Sequence, residues 1–154
     1  MKSLILFGIT FLLIGCSYDL TDKKKNEIAK EIENVVNKFA DAKTLSFETH
    51  TGFRADKEGY VFAGDGKILF TNYNDYKEYT RSLFKNVQRF TEMRVIQNKV
   101  YVLAENAAVS TFEFQSKILT TSGDTLPNNG CYTFVFKKFD EGWKIIQENG
   151  THTR

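Results

Sequence analysis

Apolar residues recur at helical spacing near the start of the chain, in the segment 22–41. Ile28, Ile32, Val35, Val36 and Phe39 follow one another at steps of four, three, one and three residues. This spacing places them on one face of an α-helix, with charged and amide side chains on the other face. Thr21 or Asp22 can cap the start of this helix. Because its back is polar, the helix is expected to lie across a sheet that covers its apolar face.

The following part of the chain mixes strand and helix patterns. The segment 42–57 is predicted to form a short helix or an extended piece, and it is followed by a strand at 58–63 and the turn Gly64-Asp65-Gly66. Residues 67–70 then form a short strand or pass directly into a helix that ends near Gln88. Asn72 or Asn74 can cap this second long helix.

Beyond Phe90 the pattern changes to strands. The predicted strands are 91–103, 107–121, 130–139 and 143–152, separated by a turn at Glu105-Asn106, a loop at 122–129 that holds Pro127, and the hairpin turn Asp140-Glu141-Gly142. Short connections between consecutive strands predict an antiparallel meander. The last turn is expected to need a positive φ at Gly142, and Trp143 after it is expected to close the core.

The composition is that of a globular chain with little excess charge. Of the 154 residues, 42% are hydrophobic and 26% are charged, which excludes a long disordered chain. Lys and Arg number 21 and Asp and Glu number 19, so the formal net charge is +2. Such a chain lacks the excess of cationic side chains on which general nucleic-acid binding depends, and no nucleic acid is expected among its partners.

The first fifteen residues are typical of a removable targeting segment. Lys2 precedes the apolar run Leu4 to Ile14, which is too short for a membrane-spanning helix of about 20 residues. Leu13-Ile14-Gly15-Cys16 then resembles the bacterial lipobox, in which a small residue precedes a cysteine whose thiol receives a diacylglyceryl group. The resemblance implies cleavage before Cys16 and a lipid on its thiol. The alternative is an ordinary secretory signal with a chance cysteine.

Lipidation predicts both the location and the organisation of the protein. The signal peptide is 1–15, a lipid-anchored tether is 16–25, and one domain occupies 26–154. Two or three acyl chains hold a protein stably at a membrane, so the expected location is the bacterial cell envelope. In a Gram-negative host we expect the outer membrane, because Ser17 rather than Asp follows the lipidated cysteine.

Other metal or redox chemistry has little support in the sequence. With Cys16 lipidated, Cys131 has no partner within the chain and is predicted to be a small, inert packing residue in an alternating apolar run. His50 and His152 are the two histidines, too few for a multi-histidine metal site. No CxxC, HExxH or glycine-rich phosphate loop occurs. We therefore expect neither a metal nor another cofactor.

The order of elements resembles the SnoaL-like, nuclear-transport-factor-like superfamily, which includes ketosteroid isomerases. Three patterns carry the resemblance: Gly64-Asp65-Gly66-Lys67, the hairpin from Val100 to Val109, and the hairpin from Thr133 to Ile146 with its Gly-Trp-Lys-Ile strand. The resemblance spans about 25–153. It implies an α+β, cone-shaped fold in which a long N-terminal helix and further short helices pack on a curved antiparallel sheet and enclose a pocket.

The resemblance also implies a homodimer, since many members pair through the open face of the sheet. Phe112 and Phe114 share one face of a long strand and are expected to contribute apolar surface to that interface. Many members continue the Trp-Lys-Ile strand into a His-x-Ser pattern. Here those positions are Asn149 and Thr151, followed by His152, and an asparagine cannot serve as a general base.

Strand alternation indicates which residues could line a pocket. On the last strand it places Gln147, Asn149 and Thr151 on the same face as Trp143, and Glu148 on the other. The predicted ligand pocket consists of Tyr60, Tyr101, Gln147, Asn149 and Thr151. Glu113 is a weak candidate for a catalytic carboxylate, because burial in the cone would raise its pKa. Its position opposite the face of Phe112 and Phe114 favours a solvent-facing side chain instead.

Two functions remain open from the sequence. The first is a lipoprotein that binds a small apolar or amphipathic ligand, or a protein partner, without catalysis. The second is a small acid–base enzyme of isomerase, cyclase or hydrolase type that uses a pocket carboxylate and a tyrosine. A carboxylate within hydrogen-bond reach of a tyrosine in a closed apolar pocket would favour the enzyme, whereas a neutral lining would favour binding.

Overall fold

The computed structural model describes residues 19–153, so the predicted signal peptide and Cys16 lie outside the described residues. The elements are α1 (Asp22–Phe39), α2 (Phe47–Gly52), β1 (Val61–Gly64), β2 (Lys67–Phe70), α3 (Tyr73–Phe84), β3 (Val87–Ala104), β4 (Ala107–Thr120), β5 (Thr125–Phe139) and β6 (Gly142–Thr153). None of the described helices is both long and apolar enough to span a membrane.

Six strands form one sheet in the order β2-β1-β6-β5-β4-β3. The predicted meander is confirmed, because β3, β4, β5 and β6 pair antiparallel with their neighbours in sequence. β1 joins the other side of β6 and runs parallel to it. The α+β class is therefore confirmed, but the sheet is mixed rather than antiparallel throughout.

Helix α1 covers part of the inner face of the sheet. Thr21 caps it by accepting a hydrogen bond from the backbone N–H of Lys24 at 3.3 Å. The predicted stripe is buried at Ile28, Ile32, Val36 and Phe39, which pack against phenylalanines of β4 and β5. Since the helix begins at Asp22, residues 22–25 are helical, although the sequence assigned them to a tether. The tether itself stays a prediction.

The loop predicted at 122–129 is largely strand. β5 already begins at Thr125, and its first residues pair with the end of β4, with Pro127 opposite Lys117. The last described pair between β5 and β6 joins Asn129 to Thr153, so Pro127 lies beyond the part of β5 that β6 covers. An uncovered edge tolerates a residue without an N–H group, and proline therefore did not prevent strand formation here.

The outer face of the sheet is more polar than predicted. Phe112 and Phe114 point inward and are almost completely buried, so they cannot supply the expected dimer interface. Alternation then turns Glu113 and Cys131, which pair across β4 and β5, to the exposed outer face. Cys131 is thus an exposed residue and not a packing residue. Dimerisation itself stays a prediction.

Trp143 joins the last hairpin to α1. Its side chain is 9% exposed and belongs to the main hydrophobic cluster, and its indole Nε1 donates to Glu31 Oε2 of α1 at 2.6 Å. Lys138 donates to the same oxygen, and these hydrogen bonds lower the pKa of Glu31. Gly142, which precedes Trp143, has a φ of +109°, as predicted for this tight turn.

We expect Trp143→Ala to lower the free energy of unfolding by about 3–5 kcal/mol, because it removes a large buried ring and leaves a cavity. Chemical denaturation of the purified protein measures this loss. Tyr101→Ala is the matched control: Tyr101 is 71% exposed, so its truncation should change stability by less than about 0.5 kcal/mol. An unchanged stability of Trp143→Ala would contradict the structural role.

Candidate functional site

A cavity of about 460 Å³ opens between α3 and one end of the sheet. Its apolar lining consists of Phe62, Leu69, Tyr76, Tyr79, Leu83, Phe84, Val87, Phe90, Ile118, Leu126 and Tyr132. The exposed side chains of Tyr79, Leu83 and Leu126 mark its mouth, and the buried Arg54 and Glu148 form its floor. A cavity of this size and lining is in the ordinary range for small-molecule sites.

The floor contains a buried ion pair. Arg54 is 4% exposed and Glu148 is 1% exposed. Arg54 Nε donates to Glu148 Oε1 at 2.9 Å, and Arg54 Nη2 donates to Oε2 at 2.7 Å, so the pair is bidentate. Arg54 Nη1 donates to the backbone carbonyl of His50 at 2.6 Å. The two charges neutralise each other inside the fold.

Aromatic rings surround the guanidinium of Arg54. Its central carbon lies 5.1 Å from the ring centre of Phe39, 5.2 Å from that of Tyr76 and 5.7 Å from that of Phe134. These distances are in the range of cation–π attraction. Burial alone would lower the pKa of Arg54, but the carboxylate of Glu148 outweighs it and holds that pKa well above its usual range. Arg54 therefore stays charged.

A β-bulge places Glu148 on the inner face. Ile145 pairs with Phe136 but Gln147 pairs with Val135, so β6 carries one extra residue at that point. Trp143 and Ile145 before the bulge and Glu148 and Gly150 after it are all buried. Simple alternation along the strand fails at this step.

The bulge overturns three of the predicted pocket residues. Gln147, Asn149 and Thr151 are exposed on the outer face, away from the cavity. Tyr101 is exposed near the far end of β3, and Glu113 is exposed on the outer face of β4, so neither lines the cavity. The predictions for Gln147, Asn149 and Thr151 were wrong because the extra residue in β6 exchanges the two faces of the strand beyond it. Tyr101 was also wrongly assigned to the pocket, whereas the exposed Glu113 agrees with the solvent-facing side chain that alternation favoured.

Tyr60 does belong to the site, behind the cavity wall. It is almost fully buried and its hydroxyl donates to Glu148 Oε1. Burial, followed by the nearby carboxylate of Glu148, raises the pKa of Tyr60 far above its usual range, so its proton remains on the phenol. Tyr60 thus supplies a third hydrogen bond to Glu148.

His50 and Tyr76 form a second polar pair in the lining. The His50 Nδ1 atom lies 3.3 Å from the Tyr76 hydroxyl, and the His50 ring packs against Phe39 and Phe84. Burial, and then the charge of Arg54, lowers the pKa of His50 well below its usual range. His50 is therefore a neutral imidazole, and burial keeps Tyr76 a neutral phenol by raising its pKa.

Polar groups also border the cavity where β6 ends. The Tyr132 hydroxyl and His152 Nε2 are 3.2 Å apart, and the His152 backbone N–H donates to Asp65 Oδ1 at 3.4 Å. Gly150 makes room for the Tyr132 ring, since a Cβ at that position would overlap it. Among residues 19–153, no three His, Cys, Asp or Glu side chains are grouped to hold a metal ion.

Sequence comparison identifies the family. A SnoaL-like domain model matches residues 32–151. The chain belongs to the SnoaL-like domain family. A comparison of the sequence with curated proteins found no match.

Several solved structures have the same fold as this chain. A nuclear transport factor 2-like superfamily protein from Salmonella enterica has a TM-score of 0.64 and 17% identity over 88% of this SnoaL-like chain and 94% of its own. A ketosteroid isomerase-like protein from Erwinia carotovora has a TM-score of 0.65 and 17% identity, with coverages of 84% and 98%. A hexachlorocyclohexane dehydrochlorinase has a TM-score of 0.66 and 9% identity, with coverages of 87% and 90%. At these identities the likeness shows the fold alone.

We expect Arg54→Met to lower the free energy of unfolding by about 3–5 kcal/mol, because it leaves the Glu148 carboxylate buried without its counter-charge. The double variant Arg54→Met with Glu148→Gln should recover part of this loss, since the amide is neutral and still accepts from Tyr60. Chemical denaturation measures both. Glu113→Gln, at an exposed carboxylate, should change stability by less than about 0.5 kcal/mol. A double variant as unstable as the sum of its single variants would contradict the coupling.

Proposed function

We propose that this SnoaL-like protein is anchored by lipid on Cys16 in the bacterial cell envelope. We further propose that it binds a small, uncharged, largely apolar ligand in the cavity without transforming it. The observation that carries the binding proposal is that the two charged side chains at the cavity floor are paired with each other. Arg54 and Glu148 satisfy each other, and apolar side chains form most of the wall above them.

The charges of the lining favour an uncharged ligand. Arg54 is the one Lys or Arg among the described residues that line the cavity, and its charge is matched by Glu148. Asp65 adds a negative charge near the mouth, and His50 is neutral. A ligand anion would lose its hydration without gaining a free cation. Thr80, Tyr76 and His50 add hydroxyl and imidazole groups to the lining, and these can bind a polar end of a neutral ligand.

The hydrogen bonds that Glu148 accepts make it a poor general base. The pair of Glu148 and Tyr60 has the carboxylate–tyrosine geometry expected of an enzyme of this fold. Both carboxylate oxygens, however, already accept hydrogen bonds from Arg54. A proton taken up by Glu148 would leave the Arg54 charge buried without a counter-charge, which is costly. This supports a binding role.

A second candidate function is acid–base catalysis by His50 and Tyr76. The neutral imidazole can accept a proton, and the phenol lies 3.3 Å from its Nδ1 atom. Recovery of a chemically altered ligand after incubation with the wild type, but not with His50→Gln, would favour this enzyme over the binding protein.

We expect the purified protein to bind phenylnaphthylamine, a neutral fluorescent probe, more tightly than anilinonaphthalene sulfonate, which adds an anionic group to the same ring system. The expected difference in affinity is at least about tenfold, which corresponds to about 1.4 kcal/mol. Leu83→Lys, at the cavity mouth, should weaken the binding of the neutral probe and strengthen the binding of the sulfonate. A variant that had merely unfolded would not shift the two affinities in opposite directions.

The same change at an equally exposed leucine is the control for this experiment. Leu83 is 49% exposed at the mouth, and Leu103 is 55% exposed near the other end of β3. Leu103→Lys should leave both affinities unchanged. Tighter binding of the sulfonate by the wild type, or loss of the neutral probe in Leu103→Lys, would contradict the proposed site.

We expect a fatty-acid analogue supplied to cells to label the wild type and not Cys16→Ala. The physical reason is that the lipid requires the Cys16 thiol for its thioether bond. Labelled protein should sediment with membranes. Equal labelling of the two chains would contradict the lipid anchor without affecting the cavity proposal.

A further inference from the structure

The chain enters the fold beside the hairpin that joins β3 to β4. Leu20 packs against the main hydrophobic cluster, and Thr21 then caps α1. Asp19, Leu20 and Lys25 line one surface groove together with Tyr101 and the residues that follow it. The first described residues are therefore held against the far end of β3.

Little chain separates this point from the proposed lipid. Cys16 precedes Asp19 by three residues, and an extended chain spans at most about 3.6 Å per residue, so the two backbones lie within about 11 Å of each other. The head-group layer of one leaflet is about 5–8 Å thick. A lipid on Cys16 thus holds the end of β3 close to the head groups.

We propose that this end of the domain rests on the lipid surface, through a membrane-docking patch made of Tyr101, Leu103 and the lysines 23–25. The proposal relies on the lipidation of Cys16 that forms part of the proposed function. It goes further, because an anchored domain with a long flexible tether would have no preferred orientation.

The side chains of the membrane-docking patch suit a lipid surface. Tyr101 is 71% exposed and Leu103 is 55% exposed, which makes them two of the large apolar side chains that the described part of the sheet leaves open to solvent. Tyrosine is enriched at membrane–water interfaces, where its ring meets apolar chains and its hydroxyl meets water. Lys23, Lys24 and Lys25 are exposed and can reach lipid phosphates, although Asp22 and Glu27 offset part of their charge. Docking should therefore depend more on apolar contact than on anionic lipid.

The patch and the cavity lie towards opposite ends of β3. Phe90 lines the cavity and Leu103 lies in the patch, thirteen residues apart along one strand, which corresponds to about 40 Å of strand at roughly 3.3 Å per residue. With Leu103 on the bilayer, the cavity mouth faces away from it. The ligand then enters from the aqueous compartment and not from the lipid phase.

The test places a fluorophore at each end of the domain in the full lipidated chain. In a Cys131→Ser background, Leu103→Cys and Leu83→Cys are labelled separately with an environment-sensitive dye, on two leucines of similar exposure. Each protein is reconstituted in phosphatidylcholine vesicles that carry a doxyl quencher on the acyl chain. We expect strong quenching at position 103 and none at position 83.

Each outcome bears on one part of the proposal. Vesicle-bound protein without quenching at position 103, or with equal quenching at position 83, overturns the docking orientation and leaves the lipid anchor intact. Failure to float with vesicles, as expected for Cys16→Ala, overturns the anchor and the docking with it. In a further variant, Leu103→Glu should reduce the quenching of a dye at Tyr101→Cys while flotation is kept. Unchanged quenching there would exclude Leu103 from the contact.

Discussion

The buried ion pair of Arg54 and Glu148 is the constraint on which the rest of the structure depends. A buried charge costs several kcal/mol unless it is paired and hydrogen-bonded, so the two side chains fix the distance between α2 and β6. The backbone supports this: Ala55 N–H donates to the Ile145 carbonyl at 2.9 Å, and Ile145 N–H donates to that of Phe53 at 2.8 Å. The segment after α2 is thereby attached to β6 by both main chain and side chain.

The same pair connects two hydrophobic clusters that would otherwise be separate. Phe39 and Phe134 belong to the cluster under α1, whereas Tyr60 and Tyr76 belong to the cluster under α3. Arg54 lies against rings of both clusters, and Glu148 accepts a hydrogen bond from Tyr60. The cavity can exist because α3 covers its side of the sheet incompletely, leaving Tyr79 and Leu83 exposed at the mouth. The ion pair holds the floor while that space stays open.

Local patterns predicted most elements, because helix stripes, caps and hairpin turns are decided by nearby residues. Asn72 caps α3, and Thr21 caps α1, as the sequence indicated. The site depended on long-range relations that periodicity cannot contain. Arg54 lies in a segment of ambiguous pattern and meets Glu148 only in the fold. A charged Arg between Phe53 and Ala55 was the available signal for a buried ion pair, and it points to no partner.

The bulge in β6 explains the errors made on that strand and the position of Glu148 in the site. One extra residue between Ile145 and Gln147 shifts the alternation of β6, so that odd-numbered residues point inward before the bulge and even-numbered residues point inward after it. Trp143 and Ile145 close the core under α1, whereas Glu148 and His152 face the cavity. Without the bulge, alternation would turn Glu148 outward, and Arg54 would be a buried cation without a partner. The bulge therefore supplies both the partner of Arg54 and the polar floor of the cavity.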